Sequence, residues 1–197
     1  MTEAAKQSNW NIPNALTVLR IILVPVFIWV LFAHPHVQGW RWAATAIFVI
    51  AILTDLVDGK IARKYNLVTD FGKLWDPIAD KALTGAAFIG LGILGELNWW
   101  IIGIILVREW GITWLREVIK KYHVMAANRG GKAKTVTQAI ALCLYLLWLE
   151  PLPSWLGVVA FIIMMVALLL TVVTGIDYVR RAMKIMREGK KSETPLV

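Results

Sequence analysis

Apolar and polar positions along the chain alternate in long blocks. Runs at roughly 13–33, 41–62, 76–95, 98–119, 134–149 and 155–179 carry few charges. Most approach or exceed the ~20 residues that an α-helix needs to cross a bilayer. Inside lipid each backbone polar group must be satisfied within its own segment, which selects helices. The pattern therefore predicts an all-α fold, a polytopic membrane protein with six transmembrane helices.

The connections between runs fall into two sets. His34–Arg41, Gly95–Trp100 and Glu150–Trp155 together carry one basic residue, Arg41. The N-terminus, Lys60–Lys73, Arg116–Lys134 and Arg180–Lys191 hold nearly all the other lysines and arginines. Basic connections stay cytoplasmic, so both termini are expected there. Trp40, Trp42, Trp99, Trp100, Trp148 and Trp155 cluster at the opposite connections, as an interfacial aromatic belt does. No small-residue cleavage site follows the first run, which reads as a retained helix. The last helical pattern continues through Asp177, Arg180, Arg181, Lys184 and Arg187, so this helix is expected to project outward. The chain reads as one domain over 1–197, with an interfacial lead-in at 1–12 and a polar tail at 189–197.

Composition sharpens that picture. Hydrophobic residues make up 58% of the chain and charged residues 17%, against about 45–50% and about 25% in soluble domains. A net charge of +8 is accounted for by topology and anionic lipid heads, and nucleic acid is not expected as a partner. Cys143 is the only cysteine and reads as a small buried hydrophobe.

Five of the six aspartates lie between positions 55 and 80. Asp55, Asp58, Gly59 and Ala62 fall at i, i+3, i+4 and i+7, one stripe of a helix. Asp76 and Asp80 fall at i and i+4 on the next, after a turn around Gly72. Carboxylates gathered this way repel one another unless a cation neutralises them, and oxygen-only ligands suit Mg²⁺, Mn²⁺ or Ca²⁺. Four such groups fit a two-metal phosphoryl-transfer site. Gly59 and Ala62 leave room for a nucleotide, and Arg63 and Lys64 bring charge for a diphosphate. Asp70 lies outside both stripes and reads as a helix-capping or ion-pairing residue.

Asp55-x-x-Asp58-Gly59-x-x-Ala62-Arg63, then eight residues, then Gly72-x-x-x-Asp76-x-x-x-Asp80, resembles the CDP-alcohol phosphotransferase signature at every fixed position. The resemblance extends over nearly the whole chain. It implies two divalent ions per active site, Mg²⁺ or Mn²⁺, held by Asp55, Asp58, Asp76 and Asp80, with Asp80 also the general base. It implies nucleotide contacts from Gly59, Arg63 and Thr69. The segment Asn11-Ile12-Pro13-Asn14-Ala15-Leu16-Thr17-x-x-Arg20 resembles the first-helix segment of the family, which brings Asn14 and Thr17 toward the CDP-lipid. On the residues alone, those two read equally as helix-start residues. The resemblance further implies a homodimer in the plasma (inner) membrane, with CDP-diacylglycerol bound at the cytoplasmic face.

The acceptor must be read from the second half. Arg108 and Glu109 interrupt an apolar span, which is costly and therefore suggests function. Arg108-Glu109-x-x-x-Thr113-x-x-Arg116 and Gly131-Lys132-x-Lys134-Thr135-x-x-Gln138 resemble family members that use glycerol 3-phosphate. Arg108, Arg116, Lys132, Lys134 and Thr135 are thus the expected acceptor-phosphate site, since a dianionic phosphate calls for several cationic donors. Arg116, Lys132 and Lys134 read alternatively as a topology-setting or lipid-binding loop. Within the family, phosphatidylglycerol as acceptor (as in cardiolipin synthase) and an inositol phosphate remain open. A cation transporter also lines its path with carboxylates, but would place them near the bilayer midplane rather than at one basic edge.

Overall fold

The computed structural model describes the backbone of residues 12–64, 70–119, 129–147 and 152–192; side chains at 12–13, 58–64, 70–74, 76–77, 117–118, 129 and 187–192 fall outside the description. Among the described residues there are six helices and no strand: α1 Ile12–Ala33, α2 Gln38–Lys64, α3 Asp70–Ile93, α4 Trp99–Ile119, α5 Arg129–Leu146 and α6 Ser154–Ser192. The helices coincide with the six apolar runs and differ from them at the ends. α3 and α5 begin earlier, in polar residues that hydropathy alone leaves out. α6 has 39 residues, about 58 Å at ~1.5 Å per residue, far longer than the ~30 Å hydrocarbon core. Its continuation past Asp177 agrees with the helical pattern read from the sequence. Three stretches, Asn14–Ala33, Gln38–Val57 and Ser154–Met186, are long and apolar enough to cross a membrane. Large apolar side chains stand exposed, Val107 at 75% and Leu169 at 63%, as lipid-facing residues do.

The chain forms two compact units, Met1–Glu96 with Cys143–Pro151, and Leu97–Leu142 with Leu152–Val197. In the first, α1 packs on α2 and α3, and α2 on α3. α1 and α2 form an antiparallel hairpin whose register is fixed by three contacts: Arg20 with Asp55, Phe27 with Phe48 at 5.8 Å between ring centroids, and His34 with Trp40 at 4.8 Å. α3 approaches closely at Gly90, where a Cβ would lie 2.7 Å from Leu31 Cδ2. α3 ends in a Schellman turn, with Glu96 N–H bonded to Leu91 O and Gly95 N–H to Gly92 O. Gly95 adopts φ 74° there, a conformation open to glycine at little cost.

That turn presents Glu96 to Arg41, a fully buried residue in the first turn of α2. The two meet through paired contacts, Nη1 to Oε1 and Nη2 to Oε2, each 2.7 Å. Arg41 also donates from Nε to Leu146 O and from Nη2 to Tyr145 O, while Gln38 Nε2 donates to Leu147 O. The carbonyls at the end of α5, which no helical N–H can reach, are thereby satisfied.

In the second unit α4 packs on α6. The buried stripe of α6 is Ala160, Met164, Ala167, Thr171, Thr174, Tyr178 and Ala182, a spacing of three and four residues throughout. It is apolar in its first half and rich in hydroxyls in its second.

Candidate active site

In the first unit the buried stripe of α1 changes character along its length. Phe27, Val30 and Leu31 form its apolar part, while Asn14, Thr17 and Arg20 form a buried polar part, each 5% exposed or less. Arg20 is fully buried, and its Nη1 lies 2.7 Å from Oδ1 of Asp55, whose side chain is 37% exposed. A buried guanidinium beside a half-open carboxylate marks the end of the hairpin where the aspartate motif begins. Asp80 is partly buried on α3, next to Ala79 and Leu83 in the core. Asp58 and Gly59 lie on α2 and Asp76 on α3 by their backbone. Their side-chain positions, those of Arg63, and Thr69 altogether, lie outside the described residues. The described members of the set offer oxygen donors only, which fits a hard divalent cation.

The sequence pattern left Arg20 without a role. The signal was present, because an arginine inside a long apolar run is expensive unless paired. The same signal had singled out Arg108 and Glu109.

In the second unit Glu109 binds two cations. Its Oε1 lies 3.0 Å from Arg108 Nη1 and accepts a close contact from Lys134 Nζ. Arg108 and Lys134 are 13% and 5% exposed at their side chains. Arg108 also donates from Nη2 to Thr174 Oγ1 at 2.8 Å. Arg116 donates from Nη2 to the Tyr178 hydroxyl, and its guanidinium carbon stands 4.6 Å from the centre of that ring. Arg108 and Lys134 share the Glu109 carboxylate while Arg116 rests on Tyr178, so the four charged side chains carry a formal charge of +2.

The expected acceptor residues therefore divide. Arg108 and Lys134 join one polar network with Glu109 and Thr174, while Arg116 pairs with Tyr178, which stands one turn beyond Thr174 on α6. Lys132 and Thr135 are exposed on α5, with Thr135 Oγ1 donating to Gly131 O of its own helix at 3.1 Å. Thr174 and Tyr178 were missed in the sequence, although Thr171, Thr174 and Tyr178 already stand at i, i+3 and i+7.

Comparison with known proteins gives a consistent result. A family model described as CDP-alcohol phosphatidyltransferase matches residues 10–173. The chain is 48% identical over 175 residues to a probable phosphatidylglycerophosphate synthase of Mycobacterium tuberculosis, covering 88% of this chain and 82% of that protein. It is 38% identical over 180 residues to the CDP-diacylglycerol–glycerol-3-phosphate 3-phosphatidyltransferase of Bacillus subtilis, covering 86% and 93%. The enzyme of that name from Rickettsia felis is 38% identical over 176 residues, covering 88% and 96%.

Proposed function

The chain belongs to the CDP-alcohol phosphatidyltransferase family, and from that premise we propose that it transfers the phosphatidyl group of CDP-diacylglycerol to sn-glycerol 3-phosphate, giving phosphatidylglycerophosphate and CMP. The observation that carries the choice of acceptor is the +2 cluster of Arg108, Glu109, Lys134 and Arg116. An uncharged alcohol has no use for it, whereas a phosphate dianion matches its charge. Relatives named for that acceptor cover nearly this whole chain.

The family works with divalent ions, and Asp55, Asp58, Asp76 and Asp80 would hold them, as Mg²⁺ or Mn²⁺ and two per site. When bound, such ions polarise phosphoryl oxygens and offset charge on the leaving group. Arg20 fixes the carboxylate of Asp55. Asn14 and Thr17, with Gly59, Arg63 and Thr69, receive the CDP moiety. Asp80 takes the proton from the primary hydroxyl of glycerol 3-phosphate. That oxygen forms a bond to the β-phosphorus as the bond to CMP breaks. The acyl chains remain in the bilayer throughout.

The protein is a membrane protein. We place it in the plasma membrane with six spans, both termini and the active site facing the cytoplasm, and a homodimer as the assembly. The basic connections and the length of α6 support this orientation.

An acceptor panel tests the reaction. Purified protein, CDP-diacylglycerol and Mg²⁺ are combined in turn with glycerol 3-phosphate, phosphatidylglycerol, an inositol phosphate or serine. Phosphatidylglycerophosphate should form in the first mixture alone. A product only with one of the others would keep the family and change the acceptor.

A further inference from the structure

The three hydroxyls on the buried stripe of α6 share one arrangement. Thr171 Oγ1 donates to Ala167 O at 2.6 Å and accepts from Gln138 Nε2 at 2.9 Å. Thr174 Oγ1 donates to Leu170 O at 2.6 Å and accepts from Arg108 Nη2 at 2.8 Å. One turn on, the Tyr178 hydroxyl accepts from Arg116 Nη2. The threonines spend their protons on their own helix, as threonine commonly does, which leaves their lone pairs facing α4 and α5. α6 thus presents a ladder of neutral acceptors at i, i+3 and i+7.

Neutral acceptors have a consequence that carboxylates lack. A guanidinium held by a carboxylate is positioned and cancelled together, as Arg20 is by Asp55 and Arg41 by Glu96. A guanidinium held by a hydroxyl is positioned and keeps its charge. Arg116 is held solely in this way among the contacts described, through the hydroxyl and the ring face of Tyr178. Arg108 shares Glu109 with Lys134 and has Thr174 as its second anchor. Gly175 completes the fit, since a Cβ there would stand 3.1 Å from Arg108 Cγ and 3.4 Å from its Nε. That Nε is buried and has no hydrogen-bond partner among the described residues.

We propose that Thr174 and Tyr178 are positioning residues for acceptor specificity, aiming Arg108 and Arg116 at the acceptor phosphate without neutralising them. This rests on the reading of glycerol 3-phosphate as acceptor. Neither hydroxyl touches the reacting atoms, so the effect belongs in acceptor affinity and not in the chemical step.

The test is steady-state kinetics of the full-length protein in lipid nanodiscs, varying glycerol 3-phosphate and CDP-diacylglycerol separately. Thr174→Val and Tyr178→Phe should each raise the KM for glycerol 3-phosphate about five- to fiftyfold, the range for losing one support of a charge-assisted contact. Turnover at saturation and the KM for CDP-diacylglycerol should stay within about twofold. Thr174→Ser, which keeps the hydroxyl, should restore wild-type KM. Thr174→Asp separates charge from position, because it anchors Arg108 more firmly and cancels it. Its KM should rise at least as far as that of Thr174→Val. A wild-type KM in Thr174→Asp, or in Tyr178→Phe, overturns the proposal. Parallel loss of both KM values and of turnover in Tyr178→Phe, which retains the ring and the packing, assigns the ladder a purely structural role and also overturns it. If wild-type protein makes no product from glycerol 3-phosphate, the acceptor reading itself has failed, an outcome visible before any variant is made.

Discussion

Arg20 of α1 and Asp55 of α2 form an ion pair of 2.7 Å in which the arginine is fully buried and the aspartate is 37% exposed. The asymmetry gives the pair a direction. The cation sits in the core and cannot turn to water, while the carboxylate remains partly open. Arg20 therefore fixes the rotamer of the first aspartate in the motif.

Substituting Arg20 tests this. Arg20→Met leaves Asp55 without its buried partner, and breaking such a pair costs about 3–5 kcal/mol when both charges are buried, less here because Asp55 is partly solvated. Activity should fall more than tenfold and thermal unfolding should come earlier. Arg20→Lys keeps the charge without the planar fork and should fall between Arg20→Met and wild type. Normal turnover in Arg20→Met would detach Arg20 from the site.

Arg41 and Glu96 should behave differently. Their paired 2.7 Å contacts join the start of α2, the end of α3 and, through Tyr145 and Leu146, the end of α5. Arg41→Met should lower the unfolding temperature markedly and leave both KM values unchanged in the folded fraction. Glu96→Gln should destabilise in the same direction. The double variant should lose less than the sum, as expected for residues in direct contact. Additive losses would show that the two do not act together.

How much was legible in the sequence follows from which interactions are local. Six helices were readable because apolar blocks set them, and the aspartate stripes because i, i+3 and i+4 spacing is a property of one helix. Arg41 looked like a lone exception to the charge rule at a loop. Its burial depends on Glu96, which lies 55 positions away. Thr174 and Tyr178 were passed over because a hydroxyl in an apolar helix is ordinarily satisfied by its own backbone, and only packing supplies the second partner from α4. Arg20 was legible and missed. The extra turns of α3 and α5 were hidden because polar residues at helix ends give no hydropathy signal.

The roles proposed for the aspartates can be separated by substitution. Asp55→Asn, Asp58→Asn and Asp76→Asn should each lose most activity while inserting normally, and chelation of divalent ions should abolish turnover until Mg²⁺ or Mn²⁺ is restored. Asp80→Asn keeps an oxygen donor and removes the proton acceptor, so the rate should drop about 10²–10⁴-fold with far less loss of CDP-diacylglycerol binding. Binding that collapses in step with rate would make Asp80 a ligand only.

Topology can be read with fused reporters. One placed before Asn11 and one after Lys191 should both report the cytoplasm, and one at His36 the opposite side. An external C-terminus would remove a span and put the basic end of α6 on the wrong side for the acceptor.

The acceptor cluster makes the most discriminating prediction, because its cations are held in two different ways. Arg116 is exposed and rests on a neutral partner, Tyr178. Removing it strands no buried charge. Arg116→Ala should therefore raise the KM for glycerol 3-phosphate about ten- to a hundredfold, as for loss of one charge-assisted contact, with little change in stability or in the KM for CDP-diacylglycerol. Lys134 is 5% exposed at its side chain and contacts Glu109. Lys134→Ala should raise the same KM and also lower the unfolding temperature, since the largely buried contact between Lys134 and Glu109 is lost. Adding Glu109→Gln takes the carboxylate away from the largely buried Arg108 as well, so the double variant should not regain stability. It should leave the KM high although the formal charge returns to +2, because the ammonium donor proposed to face the phosphate is still missing. A loop that only set topology or bound anionic lipid would instead shift insertion, or both KM values together. Recovery of stability and KM in the double variant alike would mean that Lys134 serves Glu109 and not the acceptor.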